Sequence, residues 1–574
     1  MGVKSTHNRV IPGVKMRDLR FAGLVSRDFL ALFNKAIWLG ARLSFAVALL
    51  FTYSILSYAQ ESPTFSVAGF EIVGDNPLSK SNTKKVLSEF TNRPIDIDEL
   101  RSAATEIDKL LALKGYNFLR TSLPPQELEN DIVRLEITRV SIASVNVIGN
   151  EYFSKQNIER SLPLVSQGRS PNTQRIASAL LLAEDNPAKD VRVVFVKGAE
   201  PRTVDANITV QDQNPNEFFA WANNAGSRQT SRSRLGFQYH NRNLWGRDHQ
   251  LALSYSVSPE DVDEVQQFGI NYRAPIFTLR GMVNAFYSRS DADTGRVADV
   301  FDISGAGETF GLGYRQYLNK YQHYQHRLGV QVLDKLFDSD VLFGAENIGN
   351  DVRSRPVVVD YTGRWDSGRW LLNAVLSASS NLSGGQFNDD SSYEAARAGA
   401  SRSWNKQNLT FRADYRIDTV WRARLLLFAQ NSSDALIPGE KFGFGGSLGD
   451  LGPRGFLERE VTVDKGIKTS LEISRALSGN RFNIAGFIDF ADGSQNNPQV
   501  GEVEDETLSS IGASLRWNIR RDMSLSVEYG YILDGVDQSF GDVGSDDGDD
   551  RWHISFRYFP RWPFSKQSGS GVGL

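Results

Sequence analysis

From residue 212 to 559 the chain is a series of segments about ten residues long in which apolar and polar positions alternate. "QLALSYSV" puts Leu251, Leu253, Tyr255 and Val257 on one face. "LSSIGASLRWNI" puts Ile511, Ala513, Leu515, Trp517 and Ile519 on one face, against Ser510, Gly512, Ser514, Arg516 and Asn518. A period of two is the mark of a strand with unlike faces. Tight polar turns such as Trp245-Gly246-Arg247-Asp248 and Arg520-Arg521-Asp522 alternate with longer Asp-, Gly- and Ser-rich loops at 289–306, 337–351, 381–392, 491–507 and 534–550. Short turns at one end, long polar loops at the other and an aromatic-rich apolar face are the features of a transmembrane antiparallel β-barrel. Sixteen or seventeen segments can be counted between Glu217 and Phe559. Single-chain bacterial barrels use even numbers, so sixteen strands are expected.

The chain before residue 212 has a different period. Between Phe65 and Val140 the order is strand, helix, helix, strand, strand. In "DIDELRSAATEIDKLLALKGY" the residues Leu100, Ala103, Ala104, Ile107, Leu110 and Leu111 share one helical face, and Gly115 stops the helix. The order then repeats: "IASVNVIGN", two helical segments, "VRVVFVKG" and "TVDANITVQ". Two copies of a unit of about 75 residues form an internal repeat. Both resemble the POTRA domain, with the glycine turns "IVGDNPLS" and "VIGNEYFS" where its first strand ends. The expected division is POTRA 1 at 65–140 and POTRA 2 at 141–211. Small mixed sheets of this kind bind extended chains by adding them as an edge strand; a rigid spacer is the alternative.

Composition adds an address. Residues 1–43 carry eight Lys/Arg and two Asp, "LSFAVALLFTYSIL" follows, and Ser57-Tyr58-Ala59 is a small-x-small cleavage pattern. That is a signal peptide over 1–59, too short in its apolar run to span a bilayer, with 60–64 as a short linker. Taking eight and two from 64 basic and 68 acidic residues leaves 56 against 66, so no nucleic-acid partner is expected. With no cysteine there is no disulfide framework or thiolate metal site. His323 and His326, read as three apart on one strand, point to opposite faces, and no metal is expected there. The acidic run 542–550 reads as a solvated loop.

Residues 432–465 form the longest stretch without alternation. Gly445-Gly446-Ser447-Leu448-Gly449 matches G-x-S-x-G, but no helix follows Ser447, so the strand–turn–helix elbow of a hydrolase is not expected. Glycine density instead suits a loop folded into a narrow space. In "FNIAGFIDFADG" alternation turns Phe482, Ile484, Gly486, Ile488 and Phe490 to lipid, and Asn483, Ala485, Phe487 and Asp489 to the lumen. A loop cation folded inward would meet Asp489, and an arginine such as Arg454 suits it through two charge-assisted hydrogen bonds; a solvated loop arginine and an unrelated lumen carboxylate are the alternative.

Pro453-Arg454-Gly455-Phe456 resembles the V/L-R-G-F/Y motif of the sixth loop in the outer-membrane insertase and two-partner secretion superfamily, and Phe487-Ile488-Asp489 its partner F-x-D-x-G motif. The approach "LIPGEKFGFGGSLGDLGPRGF" resembles the two-partner secretion transporters (TpsB proteins of the haemolysin and filamentous-haemagglutinin type), and so does a count of two POTRA repeats. The resemblance implies a bacterial outer-membrane pore without enzymatic activity or cofactor: two small α/β POTRA domains in the periplasm, then a sixteen-stranded barrel over 212–559 with the sixth loop tucked inside. It implies Arg454 and Asp489 as a lock, Gly455 as the turn, Phe456 packed on the wall and Phe487 beside Asp489. Its implied partners are an unfolded exoprotein captured in the periplasm, outer-membrane lipid and the barrel assembly machinery, with the protein itself monomeric. No nucleotide-binding motif appears, so folding of the passenger outside supplies direction. An insertase that places other barrels in the membrane is the alternative; more than two POTRA repeats would favour it. The sequence departs from the family pattern at Pro453, at Ala491 in place of the motif glycine, in a gap from Ala59 to Phe65 too short for a plug helix, and in a C-terminal extension, 560–574.

Overall fold

The computed structural model describes residues 63–560 apart from 227–231, 292–295, 298–300, 303–305, 339–341, 344–345, 348–350, 447–451, 500–501 and 537–543. The expected signal peptide, the start of the linker and any plug before it, Ser447, the first two residues of the acidic run and the C-terminal extension from 561 lie outside these residues.

Each of the two N-terminal units pairs its first long strand in parallel with its last: Gly69–Gly74 with Ile132–Thr138, and Ser141–Ile148 with Thr203–Asp212. Each adds an antiparallel strand on the far side of the last one. Helices Lys80–Leu87 and Ile97–Leu113 cover the first sheet, and Lys155–Ser161 and Thr173–Ala183 the second. Asp96 and Glu99 close a reciprocal capping box on the longest of them, which satisfies backbone N–H groups that the helix leaves free. The glycine turns do the same work in both repeats. Gly74 and Gly149 have φ of +84° and +86°, and a Cβ at either would lie 2.4 Å from a carbonyl oxygen of the paired strand.

The two units abut end to end, Thr173 N–H donating to Gly115 O at 2.8 Å. The second docks on the barrel through a buried ion pair, Lys189 Nζ to Asp248 at 2.7 Å. Burial pushes the Lys189 ammonium below its ordinary value, with Asp248 opposing the shift. Asn157 and Asn186 add hydrogen bonds to the turn that carries Asp248.

The barrel strands are β1 (Asn216–Asn223), β2 (Arg234–Leu244), β3 (His249–Ser258), β4 (Asp261–Ile276), β5 (Gly281–Ser290), β6 (Gly307–Tyr317) and β7 (Tyr324–Phe337). They continue with β8 (Pro356–Asp366, preceded by Val352–Ser354), β9 (Trp370–Asn381), β10 (Asn405–Arg416), β11 (Trp421–Ser432) and β12 (Lys465–Leu477). The last four are β13 (Phe482–Ser494), β14 (Asp505–Arg520), β15 (Met523–Asp534) and β16 (Asp550–Tyr558). Both pieces of β8 pair with β7, so the closed sheet has sixteen strands. Pro356 explains the interruption, since it has no N–H to give the ladder. β1 closes the cylinder on β16 through four residue pairs, Ala220–Asn223 with Ser555–Tyr558.

Outward apolar side chains stay bare: Phe310 is 51% exposed, Leu312 52% and Leu376 56%. A continuous belt of this kind faces lipid, not water. The aromatic pair Trp370–Tyr415 sits at strand ends, where an amphipathic ring suits the interface.

Three sequence expectations are corrected. The loop expected at 381–392 runs to Trp404 and contains a helix, Asp390–Ala396, capped by Asp389. The 491–507 loop is shorter, because β13 and β14 continue past the apolar belt and their outward residues there, Asp492 and Asp505, are polar. His323 lies in a turn, not on a strand, and His326 is held by the Tyr361 hydroxyl and Asn319 O.

Candidate functional site: a loop clasped inside the barrel

The loop between β11 and β12 is the sixth connection at its end of the barrel, and it folds back into the cylinder. It descends through a turn at Pro438–Glu440 and a short strand, Phe442–Phe444, and returns along Val461–Val463, which pairs with that strand. Between these legs lies the tip, Pro453-Arg454-Gly455-Phe456.

Arg454 is 1% exposed and Asp489, on β13, is also 1% exposed. The guanidinium donates to Asp489 twice, from Nε at 2.7 Å and from Nη2 at 2.8 Å, and the Arg454 backbone N–H adds a third bond at 3.0 Å. The strand thus holds both the side chain and the backbone of the tip. Arg454 also reaches Glu472 at 3.2 Å and the Ser470 hydroxyl at 2.9 Å, both on β12. Its plane lies 3.3 Å from the centre of the Phe487 ring, a cation–π contact. Gly512 makes room for that ring: a Cβ there would stand 2.4 Å from it. One cation meets two carboxylates, a hydroxyl and an aromatic face.

The other motif residues have separate tasks. Gly455 has φ of +102°, a conformation in which a side chain is strained. Its carbonyl accepts from Arg551 at 3.0 Å, and its N–H donates to His553 at 3.3 Å. Gly530 on β15 lets the tip come close, since a Cβ on Gly530 would sit 2.7 Å from the Gly455 nitrogen. Phe456 is fully buried with Phe444, Val463, Ala491, Leu508 and Ile532. Ala491, the departure from the motif glycine, packs as a small apolar residue in that cluster.

The upper part of the loop carries a second set of charges that the sequence reading did not single out. Glu440 has a fully buried carboxylate bonded to Lys335 at 3.0 Å and to Lys406 at 2.7 Å. Burial alone would raise its pKa, but the two ammonium groups outweigh it and hold the carboxyl at about 2. Arg397, from the 382–404 loop, grips Asp464 through two contacts of 2.9 Å and reaches Glu502 at 2.9 Å. Trp404 and Tyr393 pack with Leu436 and Ile437 above these pairs. The loop is fixed at its root and at its tip.

A family model for the haemolysin secretion/activation proteins ShlB/FhaC/HecB matches residues 203–517, and one for the ShlB-type POTRA domain matches residues 65–139. The chain belongs to the ShlB/FhaC/HecB family. Membership places the barrel in the outer membrane and the POTRA units in the periplasm. Among relatives, the heme/hemopexin transporter protein HuxB of Haemophilus influenzae is 21% identical over 174 residues, 30% of this chain and 31% of that protein. The chain thus matches about a third of the length of that curated relative. Solved structures share the fold. CdiB from Escherichia coli aligns with a TM-score of 0.67 at 15% identity, over 88% of this chain and 92% of that one. CdiB from Acinetobacter baumannii aligns at 0.64 and 15%, over 88% and 91%. For a member of the ShlB/FhaC/HecB family, the inward-folded loop is the feature on which a functional reading turns.

Proposed function

We propose that this protein passes an unfolded exoprotein from the periplasm to the cell surface or medium, as the pore of a two-partner secretion pair. The observation that carries the reading is the clasped loop, a segment folded into the lumen and held there by ion pairs, with the second N-terminal unit docked on the barrel. Arg454 and Asp489 act as the lock on the conduit, Phe487 supports the guanidinium, and Gly455 and Phe456 shape and seat the tip. Edge strands of the POTRA sheets receive the passenger. Lys189–Lys197 suits this, because it is paired on one side and carries exposed Val194 and Val196. The barrel works as a monomer in outer-membrane lipid, where the barrel assembly machinery places it.

The test is genetic. Deleting the chain should leave the exported protein encoded beside its gene in the periplasm, and restoring the chain should return that protein to the surface. Unchanged surface display in the deletion strain would refute the reading.

A further inference from the structure

The lumen holds a cavity of about 700 Å³ against the wall formed by β2 to β9. Four arginines line it; Arg242 on β2 is paired with Glu217, and the other three act on one another from nearby strands: Arg273 on β4, Arg315 on β6 and Arg327 on β7. The carboxylate beside them does not come from the barrel. Helix Thr173–Ala183 of the second POTRA unit packs Leu182 against Phe277, Met282 and Tyr317. The chain just beyond that helix delivers Asp185 into the mouth, where it pairs with Arg273 and, at 3.6 Å, with Arg327. Arg315 forms no ion pair among the described residues, and its Nε is buried without a hydrogen-bond partner. Asp360 on β8 lines the same cavity and partly offsets its charge.

Three cations within one arc repel each other and stay desolvated unless carboxylates answer them. The wall supplies too few, and one place is filled by a residue of a separate domain. We propose that Arg273, Arg315 and Arg327 form an entry site for the carboxylate side chains of an acidic, extended polypeptide, and that Asp185 occupies it at rest. If the pore carries polypeptide, as proposed, an Asp or Glu of the arriving chain exchanges with Asp185 and is handed to Arg315. Guanidinium groups suit this because they bind carboxylates through paired donors without selecting sequence. Exchange of one carboxylate for another leaves the charge of the mouth unchanged, so entry does not strand an ion. Loss of Asp185 from the arc also frees the second POTRA unit from two of its charged ties to the barrel.

The experiment uses the full-length protein reconstituted in planar bilayers, with a twenty-residue Glu-rich or Lys-rich peptide added on the POTRA side. The Glu-rich peptide should interrupt the current at concentrations at which the Lys-rich peptide does not. Asp185→Asn, which removes the tethered competitor, should lower the half-blocking concentration of the Glu-rich peptide roughly tenfold. Arg315→Gln should raise it, and it breaks no resting ion pair, so a merely structural role for the arc predicts no change. Equal block by both peptides, or an Arg315→Gln channel blocked as the wild type is, overturns the entry site. Because current block is read without any exported partner, that outcome leaves the transport reading intact. Failure of the deletion test would remove the transport reading without touching the block.

Discussion

Arg454→Ala abolishes export while the barrel still assembles: that is the expected result for the residue with the most contacts at the tip. Removing the guanidinium leaves Asp489, 1% exposed, without its cation, and leaves Glu472 with only Arg424 at 3.7 Å. Breaking one partner out of a buried ion pair costs about 3–5 kcal/mol. The tip gives up its paired bonds to Asp489, the Ser470 contact and the Phe487 face together, so the loop leaves its seat. The cylinder does not depend on those bonds, because each strand is held by its own ladder and a closed sheet has no edge to satisfy. Arg454→Lys should rescue in part, since an ammonium keeps the charge but not the planar fork. The measurement is the amount of exoprotein outside the cell, set against the heat-modifiable mobility that reports a folded barrel. Wild-type export by the Ala variant would remove the lock from the account.

Gly530→Val should have an effect of similar size by a different route. No charge changes. A side chain on β15 at this position occupies the place of the tip backbone, with its Cβ only 2.7 Å from the Gly455 nitrogen and 2.8 Å from the Arg454 carbonyl carbon. Neither neighbour is a flexible chain end that can step aside, so the tip must lift and take Arg454 away from Asp489. Export should fall to the level of Arg454→Ala, although Arg454, Asp489 and Glu472 are all present. Tyr531→Val, on the outward face of the same strand, is the control and should export normally. A Gly530→Val protein that exports as well as the control would mean that close seating of the tip is not required.

Much of this architecture is legible in the sequence because the environments impose periods. Lipid on one side and a wet lumen on the other force alternation, and that alone orients Asp489 and Phe487 inward. Buried helix faces force the 3.6-residue spacing of Leu100 to Leu111. The same alternation in "IKTSLEISRAL" turns Ser470 and Glu472 inward, a readable signal for two partners of Arg454 that motif matching passes over. Other contacts leave no periodic trace. Arg397, Asp464 and Glu502 come from three loops and meet only because the sheet brings those loops to one rim. Asp185 is a residue after a helix in one domain whose partners lie on strands of another. Polar strand ends beyond the apolar belt look like loop, so the loop expected at 491–507 is wider than the one observed. Gly530 reads as an ordinary strand glycine until the backbone opposite it is known.

Arg454 seats the tip in the lumen, and proximity in the native membrane tests that most directly. The sequence has no cysteine, so Phe456→Cys and Ile532→Cys, two positions of one buried cluster, can be introduced without background. A short bifunctional thiol reagent applied to intact outer membranes should join them when Arg454 is present and fail to join them in an Arg454→Ala background. No cross-link with Arg454 in place, or an equal yield without it, would contradict the clasp.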